Sequence, residues 1–423
     1  MLAPMAGTRR VPSVMGMSDN DRSNRPSTRE ARLAPLVLGT MASQALLVVL
    51  SPTIVSIGRD LGAPVAVVGQ ARSVTAAVAI AASIAIAGRV DALGIRRLLG
   101  LGAGLATVAC GALALAPTLA VFLVGHVLVG VAFACLLSAG FAGVAPFSGK
   151  RREWAVGYVA GANALAWIVV NPIAAALTGW LSWRAAEAVP GAIAVAALLA
   201  ARAATPVRSE PAAGQLRTLL ATRPARRWMG AELLAYGAWT TLPTFVGAFF
   251  IERLDVPEAA VGWLLAAGAA AHLAASTHGR VLSRLVPRRS LVAGAALVMA
   301  VLLFAQLNAT GSVALAVGIF CLVCLAAGVR TPASSGLGLE QLPQHPGAMM
   351  AARTAVTQLG YVLGALVGGA VIPVAGYGTL GAVLAVGMTA SALLVLRVGG
   401  TGRRSRTSPP APADRRAPPT RAA

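Results

Sequence analysis

Ionisable residues inside long apolar runs come first, because a charge held away from water costs several kcal/mol unless protein or a water-filled cavity faces it. Arg72 lies about seven residues into one such run, roughly 11 Å from its end at about 1.5 Å per residue. A guanidinium there suits an anionic solute or a carboxylate partner. His126 falls near the middle of another run, and an imidazole that titrates at about 6.5 can carry a proton. His272 repeats the pattern further on. Glu232 is read as the carboxylate within a run, about one turn from its arginine-flanked end, where it takes up a proton or pairs with Arg226 or Arg227. His126 and Glu232 are therefore the two candidates for proton coupling.

Uncharged polar residues recur at helical spacing, which marks faces that avoid lipid. Thr40, Gln44 and Ser51 form one stripe, and Asn163, Trp167 and Asn171 another. Tyr236, Thr240 and Pro243 share a face with Trp239 beside them, and Thr354, Gln358 and Tyr361 share a fourth. With Arg72 and His126 these stripes outline a cavity of amides, hydroxyls and aromatic rings, suited to a small amphipathic organic molecule. Covalent chemistry is not supplied. The chain offers no Ser/His/Asp spacing, no metal-ligand cluster and no GxxxxGK[ST] loop, so neither an enzyme nor an ATP-driven pump is expected, nor a cofactor or metal. Cys321-x-x-Cys324 has no accompanying His or second Cys pair, and with Cys110 and Cys135 reads as small core residues.

The elements that must hold these residues are transmembrane helices. Of 423 residues, 57 % are hydrophobic and only 12 % charged, about half the usual share of a soluble domain. Mean hydropathy is +0.75. The net charge of +21 lies in short arginine runs between apolar stretches, unlike the basic face of a nucleic-acid binder. Runs long enough to cross about 30 Å of hydrocarbon are Leu33–Ile57, Val65–Gly88, Leu98–Ala116, Thr118–Val144, Ala155–Thr178 and Ala186–Ala204. In the second half they are Met229–Ile251, Ala259–His278, Ser290–Asn308, Ser312–Gly336, Met349–Val374 and Thr379–Val398. The fold class is therefore an all-α membrane protein of twelve helices. Residues 1–32 read as a tail without the apolar core of a signal peptide. Residues 33–204 and 229–398 form two six-helix halves, 205–228 a linker and 399–423 a basic, proline-rich tail.

Alternate loops differ in charge. One set holds Arg89, Arg96 and Arg97, then Lys150, Arg151 and Arg152, then Arg202 to Arg227, then Arg280, Arg284, Arg288 and Arg289; the other holds only Arg59, Arg184 and Arg253. Arginine-rich loops stay in the cytoplasm, so both termini are expected there, in a bacterial cytoplasmic membrane. The halves also echo each other. Gly88-Arg89-Val90 with Arg96-Arg97 returns as Gly279-Arg280-Val281 with Arg288-Arg289. Pro64 and Gly69 return as Pro257 and Gly262, and Pro172 as Pro373. GxxxG spacings at Gly100/Gly104, Gly157/Gly161 and Gly364/Gly368 predict close helix contacts.

The stretch Gly88-Arg-Val-Asp91-Ala-Leu-Gly94-Ile-Arg96-Arg97 resembles the loop motif of the major facilitator superfamily, Gly-x-Leu-x-Asp-Arg-x-Gly-Arg-Arg/Lys. It is one residue short between Gly88 and Asp91, and Ala92 replaces the usual Arg. The second copy, at Gly279, has Ser283 where Asp would stand. The drug:proton antiporter branch is also resembled, in Gly130 with His126 at its arginine position, in Asn171-Pro172 with Ala175-Ala176, and in Trp183-Arg184. The resemblance implies two pseudo-symmetric bundles rocking about a central site. It further implies proton-coupled efflux of a small amphipathic compound, with uptake or facilitated diffusion of a small solute, anions included, as the alternative. The partners expected are that small-molecule substrate, the lipid bilayer and protons, with no nucleic acid, for a protein working as a monomer. It also implies a cytoplasmic gate of Gly88, Asp91, Gly94, Arg96 and Arg97 with their counterparts Gly279, Arg280 and Arg284. Within that gate Asp91 is expected to meet Arg353, and Glu153 to face Arg280 or Arg284.

Overall fold

The computed structural model describes residues 32–87, 90–204, 221–341 and 346–398, which are almost wholly helical. The first apolar run forms two helices, α1 (Ala34–Val48) and α2 (Leu50–Asp60), bent by 41°. Pro52 explains the bend: it has no N–H for the Val48 carbonyl and its ring crowds that oxygen. The first half continues with α3 (Val65–Val68), α4 (Gln70–Ala87), α5 (Val90–Ala114), α6 (Leu119–Ala142), α7 (Gly149–Trp180), α8 (Trp183–Ala186) and α9 (Ala188–Ala201). The second half has α10 (Arg223–Leu254), α11 (Glu258–Leu285), α12 (Arg288–Asn308), α13 (Val313–Gln341) and α14 (Pro346–Leu396).

Among the described residues ten helices are long and apolar enough to cross a membrane, or eleven if α1 and α2 make one broken span. The last, α14, has 51 residues, about 76 Å of helix at 1.5 Å per residue. It breaks at Gly376, whose φ of 76° and ψ of 179° belong to a region open essentially to glycine alone. Contacts with α10 show the chain reversing there. Before the break Gly360, Gly364 and Gly368 lie against Tyr236, Gly237 and Phe245 in ascending order. After it Tyr377 donates to Glu252, Ser391 to the Ala231 carbonyl, and Arg227 to the Arg397 carbonyl, in descending order.

Helices α1, α4, α5, α6, α7 and α9 pack into one bundle and α10 to α14 into a second. Buried alanines such as Ala42, Ala103, Ala106, Ala132 and Ala139 let the backbones approach, while Ile84, Leu115, Leu199, Val301 and Val386 point outward as a belt for lipid. Gly364 and Gly368 make the close contacts expected of them. Gly100, Gly104, Gly157 and Gly161 do not: a Cβ on any of the four would meet nothing within 4 Å, because they face away from neighbouring helices. The tight approaches in the first bundle are instead at Gly102 against Cys135 and Gly130 against the Thr75 carbonyl.

The two bundles meet through α4 with α14, α7 with α11, and α2 with α10. Among the described residues, specific contacts between them lie in the half nearer the arginine-poor face. Ser56 donates to Glu258 Oε2 at 2.6 Å and Arg59 to Oε1 at 2.9 Å. Gln70 donates to the Ala365 carbonyl at 2.9 Å and Ser73 to that of Val362 at 3.2 Å. Gly179 lies on Ala259, Gly262 on Asn171 and Ala175, and Gly247 on Ser51. On the opposite side α7 leaves Glu153, Trp154 and Tyr158 exposed, and α14 leaves Thr354 exposed.

Candidate functional site

Arg72 stands in the first turn of α4, where α4 crosses α14. Gln70 and Ser73 pin that turn to α14 carbonyls and so fix the arginine between the bundles. It is 2 % exposed. Its Nε, Nη1 and Nη2 are all buried without a hydrogen-bond partner. Its Cζ lies 5.9 Å from the ring of Trp167 on α7 and 5.9 Å from that of Tyr361 on α14. Two such cation–π contacts return about 0.5–2 kcal/mol each, against several kcal/mol for a buried unpaired ion. The guanidinium is thus held by rings on both bundles and left short of an anion.

Around it the sequence-derived stripes are only partly gathered. Asn171 is fully buried, its Nδ2 donating to the Trp167 carbonyl at 2.7 Å while Oδ1 has no partner. Gln44 and Gln358 are buried, as are Thr40 and Ser51, whose hydroxyls are unpartnered. Asn163 is half-buried. Thr354 is exposed, its hydroxyl donating to the Met350 carbonyl. His126 is 5 % exposed and packs on Phe122, with ring centroids 4.6 Å apart and Nδ1 3.0 Å from the Phe122 carbonyl.

A second charged group lies in the other bundle. Glu232 on α10 is 1 % exposed and accepts from Arg330 Nη2 at 2.5 Å and from Ser334 Oγ at 2.8 Å, both on Oε1. Arg353 Nε lies 3.6 Å from Glu232 Oε2, Arg353 Nη2 donates to the Tyr236 hydroxyl, and its Cζ is 5.3 Å from the Tyr236 ring. Trp228 donates to the Ser334 carbonyl at 3.1 Å, and Thr240 to that of Tyr236 at 2.6 Å. A narrow crevice beside the cluster is lined by Tyr236, Trp239, Met299, Arg330, Thr331 and Met388. Trp239 stacks on His272 at 5.8 Å and 13°.

These contacts correct one expectation. Glu232 is not an interfacial partner of Arg226 or Arg227, because nine residues of α10 precede it and carry it into the bundle. Arg353, expected to meet Asp91, here lies against Glu232 and Tyr236. Gly88, the surroundings of Gly279 and the side chains of Asp91, Arg280 and Arg284 lie outside the described residues. Of the expected gate, Glu153, Arg96 and Arg97 are exposed, and Gly94 has φ 72° and ψ 153° at the start of α5.

The model of one family, the Major Facilitator Superfamily, matches the chain twice, over residues 36–230 and 228–422. The chain belongs to the major facilitator superfamily. No curated protein matches it. The two superfamily matches meet at the start of α10, so each takes one bundle. Membership makes the chain, in general terms, a multi-pass membrane transporter of small molecules. The antiporter-like Trp183-Arg184 pair is joined to Asp60, at the end of α2. Trp183 Nε1 donates to Asp60 Oδ2 at 3.1 Å, Arg184 pairs with the same oxygen, and Arg184 also donates to the Ala116 carbonyl at 2.9 Å.

Sequence reasoning passed over Arg330, Glu187 and Glu258. Arg330 interrupts the apolar run of α13 two residues before Pro332, which is the signal that would have found it. Glu187 precedes α9 and is 3 % exposed, with Oε2 unpartnered. Glu258 looked like an ordinary acid in the first turn of a helix, where the dipole favours it, and nothing local announced its partners about 200 residues away.

Proposed function

We propose that this chain is a secondary active transporter that carries a small organic anion by alternating access across a bacterial cytoplasmic membrane. The observation that carries the reading is Arg72: a buried guanidinium with three unpartnered nitrogens, set between two aromatic rings on different bundles. A carboxylate or similar group supplies the missing acceptor, and a flat ring or chain packs on Trp167 and Tyr361. Asn171 Oδ1, an acceptor without a partner, suits a hydrogen-bond donor elsewhere on the solute. In this reading the α1/α2 pair is one broken span and α14 two, so twelve spans result and both termini lie in the cytoplasm with the arginine-rich loops. The arginine-poor face is then outside and sealed, and Arg353, at 18 % side-chain exposure, is approached from within.

Anion transport displaces the reading drawn from the antiporter-like residues, because Glu232 is held by two arginines and His126 is packed on its own helix. Proton-coupled efflux of an amphipathic compound keeps one observation in its favour, the unpartnered Glu187 carboxyl. Uptake of labelled benzoate and of a cationic dye into proteoliposomes, with and without a pH gradient, separates the two. Anion transport predicts benzoate flux that Arg72→Gln reduces at least about tenfold. Gradient-driven flux of the dye alone, insensitive to Arg72→Gln, would return the assignment to proton-coupled efflux.

A further inference from the structure

The cluster on α10, α13 and α14 holds two guanidinium groups against one carboxylate, and the two are held unequally. Arg330 is 4 % exposed and grips Glu232 Oε1 at 2.5 Å, with Ser334 donating to the same oxygen. Arg353 lies 3.6 Å from the other oxygen, its Nε is buried without a hydrogen bond, and its remaining contact is the Tyr236 hydroxyl. If Arg353 turned away, Glu232 would keep both its tight donors. Arg353 is therefore dispensable to Glu232, and the positive surplus of the cluster resides on it.

Arg353 also stands in register with Arg72. Eight residues separate it from Tyr361 on α14, two steps of four along one face and about 12 Å along the axis. Tyr361 carries Arg72. Tyr236 bridges the interval, its ring against Arg353 and its Cβ 2.7 Å from where a Cβ on Gly360 would be. An aromatic row, Trp167, Tyr361 and Tyr236, thus has an under-partnered guanidinium toward each end, one from each bundle.

We infer that Arg353 is a second anion contact, so that the transported solute carries two acidic groups about two helical turns apart, one for each bundle. This rests on the reading of Arg72 as the first contact. The second acid neutralises the surplus that Glu232 leaves, and Glu232 is the resting counter-ion from which Arg353 is drawn. A solute pinned at both ends ties the bundles together, whereas a monoacid engages Arg72 alone.

The test is equilibrium binding of benzoate, terephthalate and biphenyl-4,4′-dicarboxylate to the full-length protein, read by tryptophan fluorescence. At least one diacid is expected to bind about tenfold or more tighter than benzoate. Arg353→Gln removes that preference and leaves benzoate affinity within about twofold, while Arg353→Lys, which keeps the charge, retains part of it. Diacids that bind no better than benzoate, or a preference that survives Arg353→Gln, overturn the inference and leave Arg72 in place. Unchanged benzoate binding in Arg72→Gln, or no binding of any of the three acids, overturns the reading of Arg72 as well.

Discussion

If Arg72 is retained for a ligand and not for the fold, its removal stabilises the empty protein. The substitution to make is Arg72→Met, which keeps an unbranched chain of similar length and can pack its sulfur on Trp167 and Tyr361. The arginine carries an ion penalty of several kcal/mol, since none of its three nitrogens has a partner. Against that stand two cation–π contacts of about 0.5–2 kcal/mol each. The net gain on removal is about 1–3 kcal/mol. For a cooperative unit the size of one bundle this is a rise in melting temperature of roughly 2–12 °C. Scanning fluorimetry of the full-length protein in detergent measures it, with and without benzoate. Wild type is expected to melt lower when empty and to be raised by benzoate; the variant melts higher and ignores benzoate. A variant that melts lower than empty wild type by 2 °C or more would show that Arg72 holds the bundles together, and the case for an anion site would fail.

Three further perturbations address the rest of the architecture. Glu232→Gln leaves Arg330 and Arg353 without a counter-ion in the bundle interior and is expected to cost about 3–5 kcal/mol, read in the same melting assay. Glu258→Ala removes the acceptor that joins Ser56 and Arg59 across the bundles. The Ser56 bond is worth about 1.5–3 kcal/mol and the pair with Arg59, whose side chain is 70 % exposed, at most about 1 kcal/mol. Opening at the arginine-poor face should then increase at least about tenfold, measured as maleimide labelling of Ser51→Cys with the native cysteines replaced; an unchanged rate refutes the clasp. Gly262→Val sets a side chain against the Asn171 carbonyl and Ala175 Cβ, and labelling at Ser51→Cys should rise further. Wild-type labelling there would mean that this close approach is not part of the seal.

The span pattern was legible because hydropathy acts on each helix separately. So was the reversal between the two legs of α14, which the gap after Val374 anticipates and Gly376 executes. Arg72, Trp167 and Tyr361 were legible one at a time, as polar or aromatic residues on periodic faces. Their meeting was not, since it depends on how α4, α7 and α14 cross. The pairing of Glu232 with Arg330 spans 98 positions, and no local rule relates two such residues. GxxxG spacing misled at Gly100 and Gly157 because it records small residues on one face without saying whether that face meets a helix or lipid.

The unpaired charge of Arg72 has an electrical consequence. A charge in the bilayer interior feels the potential across the membrane, worth about 2.3 kcal/mol per elementary charge per 100 mV. In the reading proposed above, with the arginine-rich loops in the cytoplasm and that side negative, the field would draw the empty carrier toward the arrangement in which Arg72 shares the cytoplasmic potential, the one sealed at the arginine-poor face. A carboxylate bound at Arg72 would cancel that charge. Reorientation of the empty protein would then be the more voltage-sensitive half of the cycle, carrying a current of its own.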